Sequence, residues 1–312
     1  RRSSDLDCIL AKGSFRYAPL LNALTAVIKS TEPRTYMPIS PEAFSVCHDK
    51  ALTQLRLQEQ GISMPRTYLT SSAQAAKEIL EKINYPIIMK FPHGTQGKGV
   101  MVAESMSSAS SMMDALAALK QPFIIQEYVD TGGVDIRAIV VGDKVVASMK
   151  RKAIKGETRT NIHAGGKGIP CELDAKTKKI AVEASKAVNT EICGVDILES
   201  VKGPVVIEVN ISPGLQGITE TTKIDVADKI ARFLKKQTKK LVEGTKKEST
   251  SKILSNLGIE NADKDILTNL DFRGNRILLP EVITKITKFS EKDEVTIKAK
   301  KKELKISHFK IG

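Results

Sequence analysis

A chain of 312 residues, 41% hydrophobic and 27% charged, is long enough for two or three domains and a sizeable core. Its four cysteines, Cys8, Cys47, Cys171 and Cys193, lack CxxC spacing and do not cluster with the four histidines, which argues against a zinc centre or a disulfide framework. No apolar run approaches the ~18 residues of a membrane span, so a cytoplasmic protein is expected, and much of the net charge of +13 lies in lysine runs such as Lys235, Lys236, Lys239 and Lys240 that suit a solvated face better than a nucleic acid.

Residues 7–10 read as a short strand and 18–29 as a helix. One strand and one helix cannot close a domain, so the natural N-terminus is expected to lie upstream. Ser40, Pro41 and Glu42 give an N-cap with proline at the first helical position, and a helix from Asp49 stops at Gly61 as its C′ residue. A strand at 68–70 and a helix at 72–83 follow. Residues 85–90, YPIIMK, predict a buried strand ending in Lys90, which runs into the loop GTQGKGV at 94–100 before a second strand resumes. Gly94, Gly97 and Gly99 let backbone N–H groups approach an anion, and Lys90 and Lys98 supply charge. The loop joins strand to strand and has no Lys-Ser/Thr pair, so it is neither a Walker A nor a Rossmann fingerprint; a phosphate cradle and a plain hairpin turn both remain open.

Residues 123–129, FIIQEYV, form a strand in which Gln126 and Glu127 interrupt an apolar run, where backbone groups could read an adenine edge. Asp135-Ile136-Arg137 opens a strand at 138–141, Gly142-Asp143 turns, and a strand at 144–151 returns. Arg159, Asn161 and His163 then precede Gly165 and Gly166 in a loop too polar to pack. The densest signal is at 194–217, GVDILESVKGPVVIEVNISPGLQG. It predicts two strands, 193–198 and 205–209, with a turn at Val201, Lys202 and Gly203. Pairing about Lys202 sets Asp196 opposite Glu208, with Asn210 two residues further on the same face. The acids either face water or hold a cation, and an all-oxygen set with open positions suits Mg²⁺ shared with phosphates. Apolar spacing predicts a helix over 225–241, and the Lys- and Ser-rich run 243–252 reads as a linker.

The strand lysine, the Gly-rich strand-to-strand loop, QEYV, DIR, GVDI and EVN-x-SPGL, in that order, resemble the ATP-grasp superfamily. More narrowly, HDKALTQLRLQEQGI, GTQGKGV, TRTNIHAGG and EVNISPGLQGITETT resemble the RimK-type α-L-glutamate ligases, over about residues 5–241. The resemblance implies an α+β chain: a partial N-terminal α/β domain at 1–48, an ATP-grasp small lobe at 49–122 and a large lobe at 123–241. It further implies that Lys50 and Lys90 contact ATP phosphates, and that Gly94, Gln96, Gly97 and Gly99 belong to a lid over them. Gln126, Glu127 and Tyr128 would line the adenine, with Asp135 near the ribose. Asp196, Glu208 and Asn210 would hold Mg²⁺ or Mn²⁺, and Arg151, Arg159 and Asn161 would face the transferred phosphate and acyl group. The implied reaction phosphorylates a carboxylate with ATP, and the amine of an amino acid, glutamate, then forms the amide. Implied acceptors are a protein C-terminus or the carboxylate of a cofactor tail. Beyond a linker at 242–261, residues 262–312 resemble the swapped hairpin of AbrB-like proteins, which implies a homo-oligomer or, as the alternative, a DNA-associated regulator.

Overall fold

The computed structural model describes residues 6–70, 72–92, 99–118, 122–152, 167–256, 271–274, 276–279, 283, 287–290, 293–301 and 303–308. The chain forms two compact units, Arg1–Ser249 and Thr250–Gly312.

Helix starts in the first unit follow the capping chemistry. In α1 (Ala18–Thr31) proline stands in the first turn. In α2 (Pro41–His48) the Ser40 hydroxyl accepts from the Ala43 amide at 3.3 Å. Asp49 both ends α2 and begins α3 (Lys50–Glu59), its carboxylate accepting from the amides of Ala51 at 2.7 Å and Leu52 at 3.1 Å. Gly61, at φ +65, then stops α3 as predicted. The expected strand at 7–10 is instead a single bridge of Cys8 to Tyr36, because Lys12 and Gly13 lead the chain away to the carbonyl of Pro213 and the hydroxyl of Ser212.

Two antiparallel sheets follow. The smaller comprises β1 (Thr67–Thr70), β2 (Ile87–Lys90), β3 (Val100–Ala103) and β4 (Phe123–Glu127) in the order β1-β4-β2-β3. One face packs on α4 (Ala73–Lys82) and α5 (Met106–Ala118) through Leu80, Ile87, Met89, Met113 and Ile125. The larger comprises β5 (Val134–Val141), β6 (Lys144–Lys152), β7 (Lys167–Pro170), β8 (Ile192–Ser200) and β9 (Gly203–Asn210) in the order β7-β6-β5-β8-β9. Mixed helices and antiparallel sheets make the fold α+β, as expected.

Alternation divides the larger sheet. Ile136, Ala138, Val140, Val195, Ile197, Val206 and Val209 form a core with Ile180, Ala181 and Ala184 of α6 (Ala175–Ala187). The opposite face is split along its length. At the end near the β5–β6 turn, Ile139, Val141, Ala147 and Ile192 pack on Ile218 of α7 (Gln216–Thr222) and on Val226 and Ile230 of α8 (Val226–Asn256). At the other end the same rows carry charge. The supposed linker at 243–252 lies inside α8; its Lys, Glu and Ser residues permit helix, and Lys239 and Glu243 pair at i, i+4.

The second unit has two short hairpins, β10 (Asp271–Arg273) with β11 (Arg276–Leu278) and β12 (Val295–Lys300) with β13 (Glu303–His308).

Candidate active site

The charged end of the larger sheet is built by register. Asp196 on β8 lies directly opposite Glu208 on β9, and Asn210 lies opposite Gly194. The route to that pairing differs from the expected one. The turn is tight, with Ser200 opposite Gly203 and Ile197 opposite Val206, so an unbroken ladder would place Asp196 opposite Ile207. A bulge at Ile207 adds one residue, and the burial pattern of β9 changes phase there: Pro204 and Val206 are buried before it, Val209 after it. Glu208 and Asn210 are thereby turned off the core face. Gln54 of α3 donates from Nε2 to the bulged Ile207 carbonyl at 3.4 Å.

Strand β5 begins at Val134 and not at residue 138, so Asp135 and Arg137 are ladder residues on the site face. Arg137 is opposite Asp196 and Asp135 is opposite Arg151. Arg137 donates from Nε to Asp196 Oδ1 at 2.7 Å and from Nη2 to Oδ2 at 2.6 Å. Buried Arg151 forks onto Asp135, at 2.6 Å and 2.7 Å, and its Nη2 lies 3.0 Å from Asp196 Oδ2. Burial opposes ionisation of Asp196, yet Arg137 and Arg151 outweigh it and hold the carboxyl at about 2. Glu208 moves the other way, raised by burial and then by the Asp196 charge, against the pull of Lys50, Arg137 and Lys90.

The lysines come from other elements. Lys50 stands at the start of α3, where its amide donates to the Pro92 carbonyl at 3.0 Å, and its charge is felt by Glu208 and Lys90. Lys90 ends β2 in a buried position and donates to Gln126 Oε1 at 2.9 Å; burial, reinforced by Lys50, pulls it down to about 8. Gln126 passes its own Nε2 hydrogen to Thr67 Oγ1 at 2.7 Å, and that hydroxyl lies 2.8 Å from the Pro65 carbonyl and 3.3 Å from Gln54 Oε1. Polar groups thus run from Lys90 to the β9 bulge. The stretch 63–66 is tied to both sheets: Val206 N–H donates to the Ser63 carbonyl at 2.9 Å, and Glu127 N–H to the Arg66 carbonyl at 2.8 Å.

Glu127 also accepts from the Arg66 amide through its exposed carboxylate, at 3.3 Å, and Tyr128 follows half-buried. Gly99 closes the base of the Gly-rich loop at φ +75, and a Cβ there would meet Phe91 at 2.4 Å, so only glycine fits. Gly94, Gln96 and Gly97 lie outside the described residues, as do Arg159 and Asn161. Sequence reasoning missed Arg137, Gln54 and Thr67 as site residues; the period of two in Asp135-Ile136-Arg137 was the available signal for the first.

Residues 47–234 match a RimK-like ATP-grasp domain. The chain is similar to the "Probable alpha-L-glutamate ligase" of Syntrophotalea carbinolica, 40% identical over 218 residues that cover 69% of this chain and 72% of the relative. The protein of the same name from Shewanella loihica is 41% identical over 218 residues, again 69% of this chain and 72% of the relative. Among solved structures, the ATP-grasp ligase PsnB with minimal precursor, Mg and ADP aligns with a TM-score of 0.57 at 22% identity, covering 71% of this chain and 68% of that one. The D-alanine–D-alanine ligase of Bacillus anthracis aligns with a TM-score of 0.57 at 18% identity, covering 78% and 83%. Those two structures share the fold of this chain. The family match and the relatives go further, and the chain belongs to the RimK-like ATP-grasp family of carboxylate–amine ligases.

Proposed function

We propose that the protein is an ATP- and Mg²⁺-dependent α-L-glutamate ligase that joins the amine of glutamate to the C-terminal carboxylate of a protein. The observation that carries the reading is the pair of buried Asp196 and half-buried Glu208, opposed in register with Arg137 and Arg151 beside it. Two adjacent carboxylates, one held ionised by its arginines and the other raised by burial and then by that neighbour's charge, suit a cation between them. With the Asn210 amide they form an all-oxygen donor set that fits Mg²⁺. The names of the relatives support glutamate, and PsnB, solved with Mg, ADP and a precursor, supports a nucleotide and a peptide acceptor.

In the proposed reaction an acceptor carboxylate oxygen attacks the γ-phosphorus and the bond to ADP breaks. The amine then attacks the acyl carbon, phosphate leaves and the nitrogen loses a proton. Mg²⁺ held by Asp196, Glu208 and Asn210 would neutralise phosphate charge. Lys90, fixed by Gln126, and Lys50 offer cationic donors to the phosphates. Arg151 offers a guanidinium to the transferred group, with Arg159 and Asn161 as its companions. Asp135 acts through Arg151 by holding it with both oxygens, in place of the ribose contact implied by the resemblance. Gln126, Glu127 and Tyr128 stay assigned to the adenine side. Gly94, Gln96, Gly97 and Gly99 stay assigned to a lid that keeps water from the acyl phosphate.

The test is phosphate release with ATP, a panel of amino acids and candidate acceptors, followed by mass spectrometry. Glutamate with a protein or peptide C-terminus should give ADP, phosphate and a product heavier by one glutamyl unit. Turnover with a cofactor carboxylate alone, or with another amino acid alone, would overturn the proposed substrates.

A further inference from the structure

We infer that Arg137 is a positioning residue that restricts Asp196 to a one-oxygen contact with the divalent cation and so selects Mg²⁺ over larger ions such as Ca²⁺. This inference rests on the proposed metal role of Asp196 and Glu208. It starts from acceptor capacity. A carboxylate offers about four lone-pair positions on two oxygens. Arg137 occupies one on Oδ1 and one on Oδ2, and Arg151 occupies a second on Oδ2. What remains is one position on Oδ1.

A cation can therefore be held through Oδ1 while the fork stays intact, but a grip by both oxygens must break it. The fork resists breaking. Arg137 faces Asp196 across the β5–β8 ladder, and the side chains are only 17% and 7% exposed, so rotation away from the bond would leave buried charge without its partner. Arg151 cannot simply replace it, because Asp135 already fixes that guanidinium in a fork of its own. The consequence differs by ion. Mg²⁺ is small, takes six ligands and pairs with single carboxylate oxygens, whereas Ca²⁺ accepts six to eight and readily takes both oxygens of one carboxylate. A forked arginine on the ligating carboxylate therefore penalises the larger ion.

The experiment uses Mn²⁺ as a paramagnetic probe on the full chain, with Mg²⁺ and Ca²⁺ as competitors, read by electron paramagnetic resonance. Parent protein should release Mn²⁺ to Mg²⁺ at lower concentration than to Ca²⁺. In Arg137→Met the ratio of the two competing concentrations should move toward Ca²⁺ by roughly tenfold or more, the range known for residues that orient metal ligands. Loss of one positive charge strengthens binding of every cation, so the ratio and not the affinity is the readout. Arg137→Lys keeps the charge without the fork, and it should shift the ratio in the same direction; it also serves should the methionine variant not fold. An unchanged ratio in a folded variant, or a lysine variant that behaves as parent, would overturn the inference while leaving the metal site standing. If Glu208→Gln binds Mn²⁺ as tightly as parent, the metal assignment itself fails and the inference falls with it.

Discussion

At the scale of single residues the site is a balance of buried charge. Asp196→Asn and Glu208→Gln remove one of two facing carboxylates, and each should lower ATP-dependent amide formation by roughly a hundredfold or more; Asp196→Asn should also lower the melting temperature, because Arg137 and Arg151 lose a charged partner, whereas Glu208→Gln should change it little. Rates near those of the parent in either variant would remove the pair from the chemistry. Lys90 makes a pH-dependent case. Its ammonium titrates at about 8 in the folded chain against an ordinary value of 10.5, with burial as the main cause. Below pH 8 folded and unfolded chains both carry the proton, and the folded one bears the cost of burying it. Between about 8 and 10.5 the folded lysine is neutral while the unfolded one stays charged, so its contribution to stability rises with pH across that window. Lys90→Met should therefore stabilise at pH 7 by up to about 3 kcal/mol more than at pH 10, in urea titrations at both values. A pH-independent difference would mean that Lys90 titrates normally.

At the scale of elements, strand β9 is two half-strands of opposite phase joined at Ile207. Deleting Ile207 should close the bulge into a regular ladder in which Glu208 follows Val206 directly, still opposite Asp196 and off the face that holds Val206, so Mn²⁺ binding should persist. Two glycines inserted after Val201, which is fully exposed in the turn, should leave Mn²⁺ binding intact. Loss of binding on deleting Ile207 would show that the bulged residue itself, and not only the pairing of Asp196 with Glu208, is needed at the site. The opposition of Asp196 and Glu208 and the place of the turn were legible in the sequence, although the bulge was not. Pro204-Val205-Val206-Ile207 is a continuous apolar run, so the phase change leaves no mark in it. The DIR segment was read as a lead-in because two of its three residues are charged, and ion pairing is what admits them to a strand. Gln54 and Thr67 were invisible for a related reason: their partners lie far away in sequence, and nothing local marks them. Capping chemistry, being local, was read well at Ser40, Asp49 and Gly61.

At the scale of the whole molecule, the hairpin β12–β13 poses a problem of its own. One face carries Val295, Ile297, Ala299, Leu304 and Ile306, of which Ile297 and Leu304 are more than half exposed; the other sets Lys298 directly opposite Lys305. A two-stranded ribbon with an open apolar face and facing like charges is marginal alone. Removing 262–312 is expected to lower the oligomeric state seen by sedimentation while Mn²⁺ binding persists, since every metal ligand proposed above precedes it. If the truncated chain keeps its oligomeric state and instead loses tight, salt-sensitive DNA binding, the lysine face is the functional one.

The stretch 63–66 sits between the larger sheet at Val206 and the smaller sheet at Glu127, bonded to each within four residues. In mechanical terms such a joint can serve as a pivot. If the sheets swing on loading nucleotide, points near Arg66 stay almost still while travel grows with distance from it, as along a lever. Spin labels on exposed Lys77 of α4 and Lys179 of α6 would then register a changed distance on adding a non-hydrolysable ATP analogue, and a pair at Arg66 and Val205 would not. A change in the first pair and none in the second would place the bending point at the two bonds on 63–66.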